Sequence, residues 1–494
     1  MLISTAKSGN YKFIFNKMFY NFINKMNKFY FISLTIVVLV FFTGFMFFRL
    51  DDAYIFYQYA KNIADGNGYV FNIGEKVNAT TSPLYTLLLA FIYFLVKPLF
   101  PGSLEYIGGI ISVLSIVLIL FLLYKLLKDN ERFFVTALIF FSMPVLKYGF
   151  GMETFLNLTI ILASIYYFTS EKFVLSFSLA GLSILARLDS FLFAGMLFLF
   201  YIIKYKKLPS FRVIFFFLLM IIPWFVFSKF YFDSFLPTTI ALKLTQSKLG
   251  IFGDGLIFLT GSVIHIPGKI ITISSILLLL IISLIYFRVK RIALLENDGI
   301  KILSYWSIAL FVLYAFVINA PPYKWYYIPF AIILAIIFSL FAVSTIKNSV
   351  LKKILMVILF LTAISLPVKN FIEGHNAKYS NFIKVTEWLN QNVSEGSSIA
   401  ADDIGILSYH YKKGKMIDAL GLVNPEISQH LNQKNYDRLV DHYRPDYIVH
   451  EYPEVMYYLR GDKNNFENFY EVKKVFETKG EKIAIYKRKA PQDL

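Results

Sequence analysis

Charged side chains at the ends of apolar segments are the groups in this sequence that are best placed to do chemistry. The acidic candidates are Asp51 and Asp52, which follow an apolar run of about 20 residues, and Glu153 in the stretch GFGMET. A carboxylate can act as a general base, and Arg or Lys can stabilise an anionic leaving group. The basic candidates are Arg187 in LARLDSF, Lys243 in SFLPTTIALK and Lys324 in APPYKWYY.

The composition indicates a polytopic membrane protein. Of the 494 residues, 57% are hydrophobic, the mean hydropathy is +0.60, and the apolar residues form long runs. The chain has no cysteine, which excludes disulfides, thiol nucleophiles and cysteine metal sites. We attribute the net charge of +17 to Lys and Arg in cytoplasmic loops and expect no nucleic-acid partner.

The distribution of basic loops predicts about 11 spans with a cytoplasmic N-terminus. The loop 124–133 is lysine-rich and should therefore be cytoplasmic. It lies on that side only if the apolar run 83–96 does not cross the membrane. We therefore predict an interfacial or re-entrant helix over 83–96, which begins at a proline and is only about 14 residues long. The predicted spans are 29–48, 107–124, 133–147, 154–169, 173–186, 188–203, 213–228, 270–287, 302–319, 326–345 and 354–367.

The predicted fold is therefore mainly α, a membrane helix bundle with a C-terminal extracytoplasmic α/β domain. Its parts are a basic cytoplasmic N-terminus (1–28), a transmembrane domain (29–367) with its first outer loop at 49–106, and a soluble domain (368–494). We expect the chain to lie in the plasma or inner membrane. Within the soluble domain the pattern predicts a helix over 382–393 and strands at 397–402, 446–450 and 482–487.

This topology places all six candidates at the outer face, and each also has a purely structural interpretation. Asp52 could cap the following helix, and Glu153 could cap the fourth span. Arg187 could pair with Asp189. The two lysines, 243 and 324, could extend to lipid headgroups, and YKWYY could be an interfacial aromatic belt.

Such a set of charges would suit the transfer of a sugar from a lipid phosphate to a hydroxyl. The hydroxyl needs a carboxylate base within hydrogen-bond reach. The leaving phosphate is already anionic, so it needs positive charge rather than a proton. A glycoside hydrolase, by contrast with this transfer, generally needs two carboxylates that flank the scissile bond.

The stretch DDAYIFYQYAKNIADGNGYVFNIGEKVNATTSPLYTLLLA resembles the first outer loop of GT-C-fold glycosyltransferases. The resemblance is closest to the arabinofuranosyltransferase branch of cell-wall polysaccharide assembly. It is more distant to the lipid A aminoarabinose transferases and protein O-mannosyltransferases. It continues in GMET (151–154), LARLDSF (185–191), PWFVFSKFYFDSFLPTTIALKL (223–244) and ADDIGILSYHYKKGKMIDALGLVNPEI (401–427).

The resemblance implies a polyprenyl-phosphate sugar as donor and a cell-surface glycan or glycolipid as acceptor. It implies that Asp51 or Asp52 is the base, with a preference for Asp51 and with Asp52 opening the helix. Glu153 corresponds to a second acidic position, for the acceptor or a metal. The donor phosphate is assigned to Arg187, Lys243 and Lys324, although Leu188 and Ser190 stand where the family usually has proline and glycine.

Cofactor use stays open at the level of sequence, because carboxylates such as Asp51, Asp52 and Glu153 could hold Mg²⁺ or Mn²⁺ through oxygen. Two other functions also stay open. A transporter or flippase of lipid-linked sugars would use similar cations, but it should carry polar residues within its spans. A non-catalytic envelope assembly protein would depend on residues 370–494 and not on the two aspartates.

Overall fold

A computed structural model describes residues 26–248, 257–260, 297–432, 442–453 and 466–490. The predicted span at 270–287 lies outside these residues. The first part of the chain consists of helices: α1 Lys28–Phe45, α2 Asp51–Ala64, α3 Pro83–Val96, α4 Leu104–Leu127, α5 Asn130–Phe141, α6 Thr154–Thr169, α7 Phe173–Ala186, α8 Ser190–Tyr205, α9 Phe211–Phe232, α10 Thr238–Lys248, α11 Ile257–Thr260, α12 Asp298–Val312, α13 Ile328–Thr345 and α14 Ser349–Glu373.

Many of these helices are apolar enough to lie in a membrane, and the chain is a multi-pass membrane protein. Within the described residues, six helical stretches meet both the length and the hydropathy needed to cross, and they contain α1, α4, α9, α12, α13 and α14. Four shorter apolar helices, α3, α6, α7 and α8, accompany them. Helix α3 covers the predicted range 83–96, while its interfacial position and the total of about 11 spans remain predictions.

Small residues allow the helices of the bundle to approach one another closely. A Cβ atom at Gly44 of α1 would lie 2.3 Å from the carbonyl oxygen of Pro367 in α14. At Gly181 of α7 it would lie 2.8 Å from the carbonyl oxygen of Phe217 in α9. Apolar burial does not drive association in lipid, so close packing of this kind holds membrane helices together.

The C-terminal part folds as a five-stranded sheet with helices. Its elements are α15 Ala377–Asn392, β1 Ile399–Ala401, α16 Gly405–His410, β2 Met416–Asp418, α17 Pro425–Asn432, β3 Tyr447–Glu451, α18 Phe466–Phe469, β4 Tyr470–Thr478 and β5 Glu481–Arg488. The strand order is β2-β1-β3-β5-β4, with β1 parallel to its two neighbours and β5 antiparallel to β3 and β4. The three predicted strands correspond to β1, β3 and β5, so the predicted helix bundle with a small α/β domain is confirmed.

This domain packs on one end of the bundle, over the segment that follows α1. The His375 ring Nδ1 lies 2.9 Å from the carbonyl oxygen of Phe47, and the Arg49 amide donates to Asn376 Oδ1 at 3.1 Å. A further ion pair joins Lys415 to Glu75 at 2.8 Å. Residues from both parts of the chain can therefore face a shared cavity.

Candidate active site

A cavity of about 330 Å³ lies between the end of the bundle and the C-terminal domain. Five of the six predicted site residues line it: Asp51, Asp52, Glu153, Arg187 and Lys243. Among the described residues that form its wall, Lys324 is absent, although its neighbours Tyr323, Trp325 and Tyr326 are present. The fold thus brings together charges that are nearly 200 residues apart in the chain.

The two aspartates form the first turn of α2, and neither of them caps it. The N-cap residue is Leu50, which provides no side-chain hydrogen bond. The expectation that Asp52 caps this helix is therefore wrong, because the helix begins at Asp51, two residues earlier than that role requires. Carboxylates in the first turn still interact favourably with the positive end of the helix dipole.

Asp51 turns towards the C-terminal domain. Its Oδ2 accepts a hydrogen bond from the amide of Gly405 and its Oδ1 accepts one from the amide of Ile406, both at 2.8 Å. Burial, together with the nearby carboxylate of Asp403, raises the pKa of Asp51 to about 8, against the effect of the Ile406 amide. Asp51 thus contacts the first two residues of α16 through both of its oxygens.

Asp52 has a different environment, dominated by the cavity. Burial raises the pKa of Asp52 to about 6, and the ammonium of Lys243 opposes that rise. The carboxylates of Asp403 and Glu153 also raise the pKa of Asp52. A carboxylate in this range is ionised at neutral pH and remains basic enough to accept a proton.

Glu153 and Arg187 form a buried ion pair in the wall of the cavity. Arg187 Nη1 donates to Glu153 Oε1 at 2.7 Å, and its Nη2 donates to Asp189 Oδ2 at 2.6 Å. Glu153 Oε2 is buried and has no hydrogen-bond partner among the residues that the structure describes. Burial raises the pKa of Glu153, and the guanidinium of Arg187 counters that rise. The proposed pairing of Arg187 with Asp189 is thus present, together with the contact to Glu153.

The loop before α6 holds Glu153 in place. Gly151 has φ of +78°, and its carbonyl oxygen accepts from the hydroxyls of Tyr57 at 3.0 Å and Tyr85 at 2.6 Å. Its amide donates to Ser112 Oγ at 2.9 Å. A positive φ of this size favours glycine, so GMET fixes the backbone two residues before the carboxylate.

Lys243 contacts the aromatic side of the cavity. Its ammonium bonds the hydroxyl of Tyr326 and lies 4.6 Å from the centre of that ring. Burial and the Arg187 charge lower the pKa of Lys243 to about 8. An anionic phosphate at this position would stabilise the charged ammonium, and the ammonium would hold the phosphate.

Two threonines anchor the helix that carries this lysine. The amide of Thr238 donates to the carbonyl oxygen of Asn78 at 2.8 Å, and Thr239 Oγ1 donates to that of Ala79 at 2.8 Å. The stretch LPTTIALK is therefore tied to VNATT in the segment after α2. The two aspartates and Lys243 consequently share one framework.

Sequence reasoning missed a second set of carboxylates, which the C-terminal domain contributes to the cavity: Asp402, Asp403 and Asp418. The predicted strand ending at Asp402 and Asp403 was the available signal. Asp402 Oδ1 lies 3.2 Å from His450 Nδ1, and Asp403 pairs with Lys378. Three backbone amides donate to Asp418, from residues 420, 422 and 423.

The aromatic stretch YKWYY also differs from an interfacial belt. Trp325 and Tyr326 are buried and line the cavity, and the rings of Tyr323 and Trp325 stack at 4.7 Å. Stacked aromatic rings provide a flat apolar surface beside the charged groups. The belt interpretation therefore does not apply to these three side chains.

Two of the three carboxylates considered for a metal, Asp51 and Glu153, are engaged by protein groups. Both oxygens of Asp51 accept amide hydrogen bonds, and Glu153 Oε1 is paired with Arg187. Over the described ranges, no cluster of three or more His, Asp or Glu side chains could hold a metal ion.

Comparisons with known proteins show the fold. The chain is similar to ArnT from Cupriavidus metallidurans bound to undecaprenyl phosphate, with a TM-score of 0.58 at 11% identity, covering 92% of this chain and 97% of that one. The apo state of the same ArnT gives a TM-score of 0.54 at 11% identity over the same shares of the two chains. The overall architecture is that of the GT-C fold.

The sequence comparisons concern the C-terminal domain. A family described as "Domain of unknown function (DUF8728)" matches residues 369–488. No curated protein matches the chain. The matched range contains the whole five-stranded sheet and the three carboxylates that this domain contributes to the cavity.

Proposed function

We propose that this protein is a GT-C glycosyltransferase that moves a sugar from a polyprenyl phosphate to a hydroxyl of a cell-surface glycan or glycolipid. One observation carries the proposal: the Asp52 carboxylate and the Lys243 ammonium line one cavity and interact electrostatically. They supply a base for the incoming hydroxyl and a cation for the departing phosphate. The related fold of ArnT, bound to undecaprenyl phosphate in its own structure, supports a lipid donor.

The reaction would proceed in one displacement. Asp52 takes the proton of the acceptor hydroxyl while that oxygen forms a bond to the anomeric carbon. The bond between the anomeric carbon and the phosphate oxygen breaks, and the electron pair leaves with the polyprenyl phosphate. Lys243 stabilises the added negative charge on that phosphate. Arg187 is already paired with Glu153 and Asp189, so we assign it to the cavity wall and not to the leaving phosphate.

Asp52 suits the role of base better than Asp51. A general base needs a lone pair directed at the hydroxyl that it deprotonates. Each oxygen of Asp51 already accepts an amide hydrogen bond from the C-terminal domain. Asp52 instead faces the charges of the cavity, as its interactions with Lys243 and Glu153 indicate. The preference for Asp51 that the sequence suggests is therefore replaced by a proposal for Asp52.

The finer assignments rest on the sequence. The charge distribution of the loops supports an extracytoplasmic active site and a cytoplasmic N-terminus in the plasma or inner membrane. The likeness of residues 51–90 to the arabinofuranosyltransferase branch supports a role in cell-wall polysaccharide assembly. We propose Glu153 as a residue that orients the acceptor or stabilises the cavity through Arg187. Lys324 is not retained as a phosphate ligand, because it lies outside the cavity wall.

Linkage analysis of surface glycans tests the proposed function directly. Cells without the protein are compared with cells that carry the natural chain, Asp52→Asn or Asp233→Asn, where Asp233 is an exposed aspartate that serves as control. We expect the same linkage to be lost without the protein and with Asp52→Asn, and to be present with Asp233→Asn. Unchanged linkages in cells without the protein would overturn the proposal. Sugar movement across a reconstituted bilayer without a new glycosidic bond would instead indicate a flippase.

A release assay tests the chemistry in vitro. The protein, reconstituted in liposomes, receives the pooled polyprenyl-phosphate sugars and glycans extracted from cells that lack it. Free polyprenyl phosphate is then measured by mass spectrometry. We expect its release to require both the protein and the glycan fraction, since transfer needs an acceptor. Release that is independent of the glycan fraction would indicate hydrolysis.

A further inference from the structure

We propose that Asp51 is a positioning residue that holds the C-terminal domain on the helix carrying Asp52. On this account, the domain of unknown function completes the active site. The inference rests on the proposed function for what the site does, but the contact itself can be tested without any activity.

The contact joins two elements that are far apart in the chain. Asp51 belongs to the first turn of α2, and the amides of Gly405 and Ile406 belong to the first turn of α16. The first amides of a helix have no partner within that helix, so they need acceptors from elsewhere. The buried carboxyl group of Asp51 supplies an acceptor to both of these amides.

Gly405 allows the first turn of α16 to approach the first turn of α2 closely. A Cβ atom at this position would lie 1.9 Å from the carbonyl oxygen of Asp51 and 2.9 Å from its Oδ2. Real Cβ atoms do not approach backbone oxygen so closely, so a side chain here would force the two helices apart. The other end of α16 contacts the bundle through His410, whose Nε2 lies 3.7 Å from Glu105 Oε1.

The residues just before α16 link this docking contact to the active site. Asp402 and Asp403 lie three and two residues ahead of Gly405 and line the same cavity as Asp52. Docking through Asp51 therefore sets the position of these carboxylates relative to Asp52. On this proposal, Asp51 holds the C-terminal domain in place and the neighbouring Asp52 faces the substrate.

A cross-linking experiment can report the docking itself. The chain has no native cysteine, so Glu75→Cys and Lys415→Cys introduce one thiol on each side of the interface. These residues form a partly exposed ion pair at 2.8 Å, and losing such a pair changes stability little. A short bismaleimide should join them efficiently in an otherwise natural chain and in Asp52→Asn.

Asp51→Ala in the same background separates a positioning role from a catalytic one. Loss of the two hydrogen bonds from buried amides should lower the cross-linking rate and kcat in the release assay about tenfold or more. Covalent closure of the 75–415 bridge should then restore release to within about threefold, because the bridge replaces the lost contact. Asp52→Asn should cross-link normally, lose release, and gain nothing from the bridge.

Two further variants keep the test decisive if Asp51→Ala does not fold. Asp51→Asn retains an acceptor for only one amide and should give an intermediate loss of cross-linking. Gly405→Ala should reduce cross-linking while leaving Asp51 intact. The proposal is overturned if Asp51→Ala or Asp51→Asn cross-links normally, whatever its activity, or if release stays at the Asp52→Asn level after the bridge forms. Activity retained in Asp52→Asn would contradict the proposed function but leave the cross-linking result valid.

Discussion

Arg187 and Glu153 form a buried ion pair whose Nη1 and Oε1 atoms are 2.7 Å apart. The same guanidinium also holds Asp189 at 2.6 Å, so one cation balances two carboxylates. The three residues come from loops on either side of α6 and α7. This network fixes one wall of the cavity before any substrate binds.

Removal of Arg187 should therefore destabilise the protein strongly. Arg187→Met leaves the Glu153 and Asp189 carboxylates without their buried counter-charge and should cost about 3–5 kcal/mol. Thermal unfolding in detergent, followed by tryptophan fluorescence, measures the change. The double variant Arg187→Met with Glu153→Gln should recover part of it. Lys204→Met breaks a partly exposed pair with Asp298 and should cost less than about 1 kcal/mol, so equal losses in the two single variants would contradict the assignment.

Lys243 and Lys324 should differ in their effect on binding of a lipid phosphate. Lys243→Met removes the ammonium from the cavity and should weaken undecaprenyl phosphate binding by roughly 10- to 100-fold, the usual effect of losing a charged hydrogen bond. Lys324→Met, outside the cavity wall, should change it less than about threefold. Native mass spectrometry with undecaprenyl phosphate gives both dissociation constants. A larger effect at Lys324 would place the phosphate elsewhere.

The pH dependence of release should be bell-shaped. Asp52 must be ionised to accept a proton, so kcat/KM should fall as the pH drops below the Asp52 pKa of about 6. Lys243 must be protonated to hold phosphate, so kcat/KM should also fall as the pH rises above its pKa of about 8. Activity should be highest between these two values.

Substitutions of Lys243 distinguish the acid limb of the pH profile from its alkaline limb. Lys243→Arg should remove the alkaline limb, because a guanidinium stays charged to beyond about pH 12. Lys243→Met should move the acid limb to higher pH, since the ammonium lowers the pKa of Asp52. Rates across a pH series in the release assay report both effects. An alkaline limb that persists in Lys243→Arg would show that another group causes it.

The sequence was sufficient to predict the helix bundle, the sheet domain and five cavity residues. Long apolar runs and charges at their ends are local signals, and they identify Asp52 and Lys243 without knowledge of the fold. The contact between Asp51 and Gly405 joins residues 354 positions apart. A local sequence pattern cannot indicate a contact over that separation. The preference for Asp51 as base therefore did not take this contact into account.

Two smaller differences between the sequence predictions and the structure have local causes. Lys324 and Tyr326 belong to one short 3₁₀ turn, Lys324–Tyr327, in which neighbouring side chains point in different directions. The sequence singled out the lysine, whereas the aromatic residues reach the cavity. The cap of the helix after the first span is Leu50 and not Asp52, and a shift of two residues at a helix end changes which side chain can cap it.

The role of Asp52 as the base of a sugar transfer can be measured as the rate of polyprenyl phosphate release by Asp52→Asn. Asn cannot accept the proton, so kcat should fall about 10²- to 10⁴-fold while binding of undecaprenyl phosphate stays within about threefold. Asp233→Asn, at an exposed aspartate, should release polyprenyl phosphate at the natural rate. Release by Asp52→Asn at that same rate would contradict the claim.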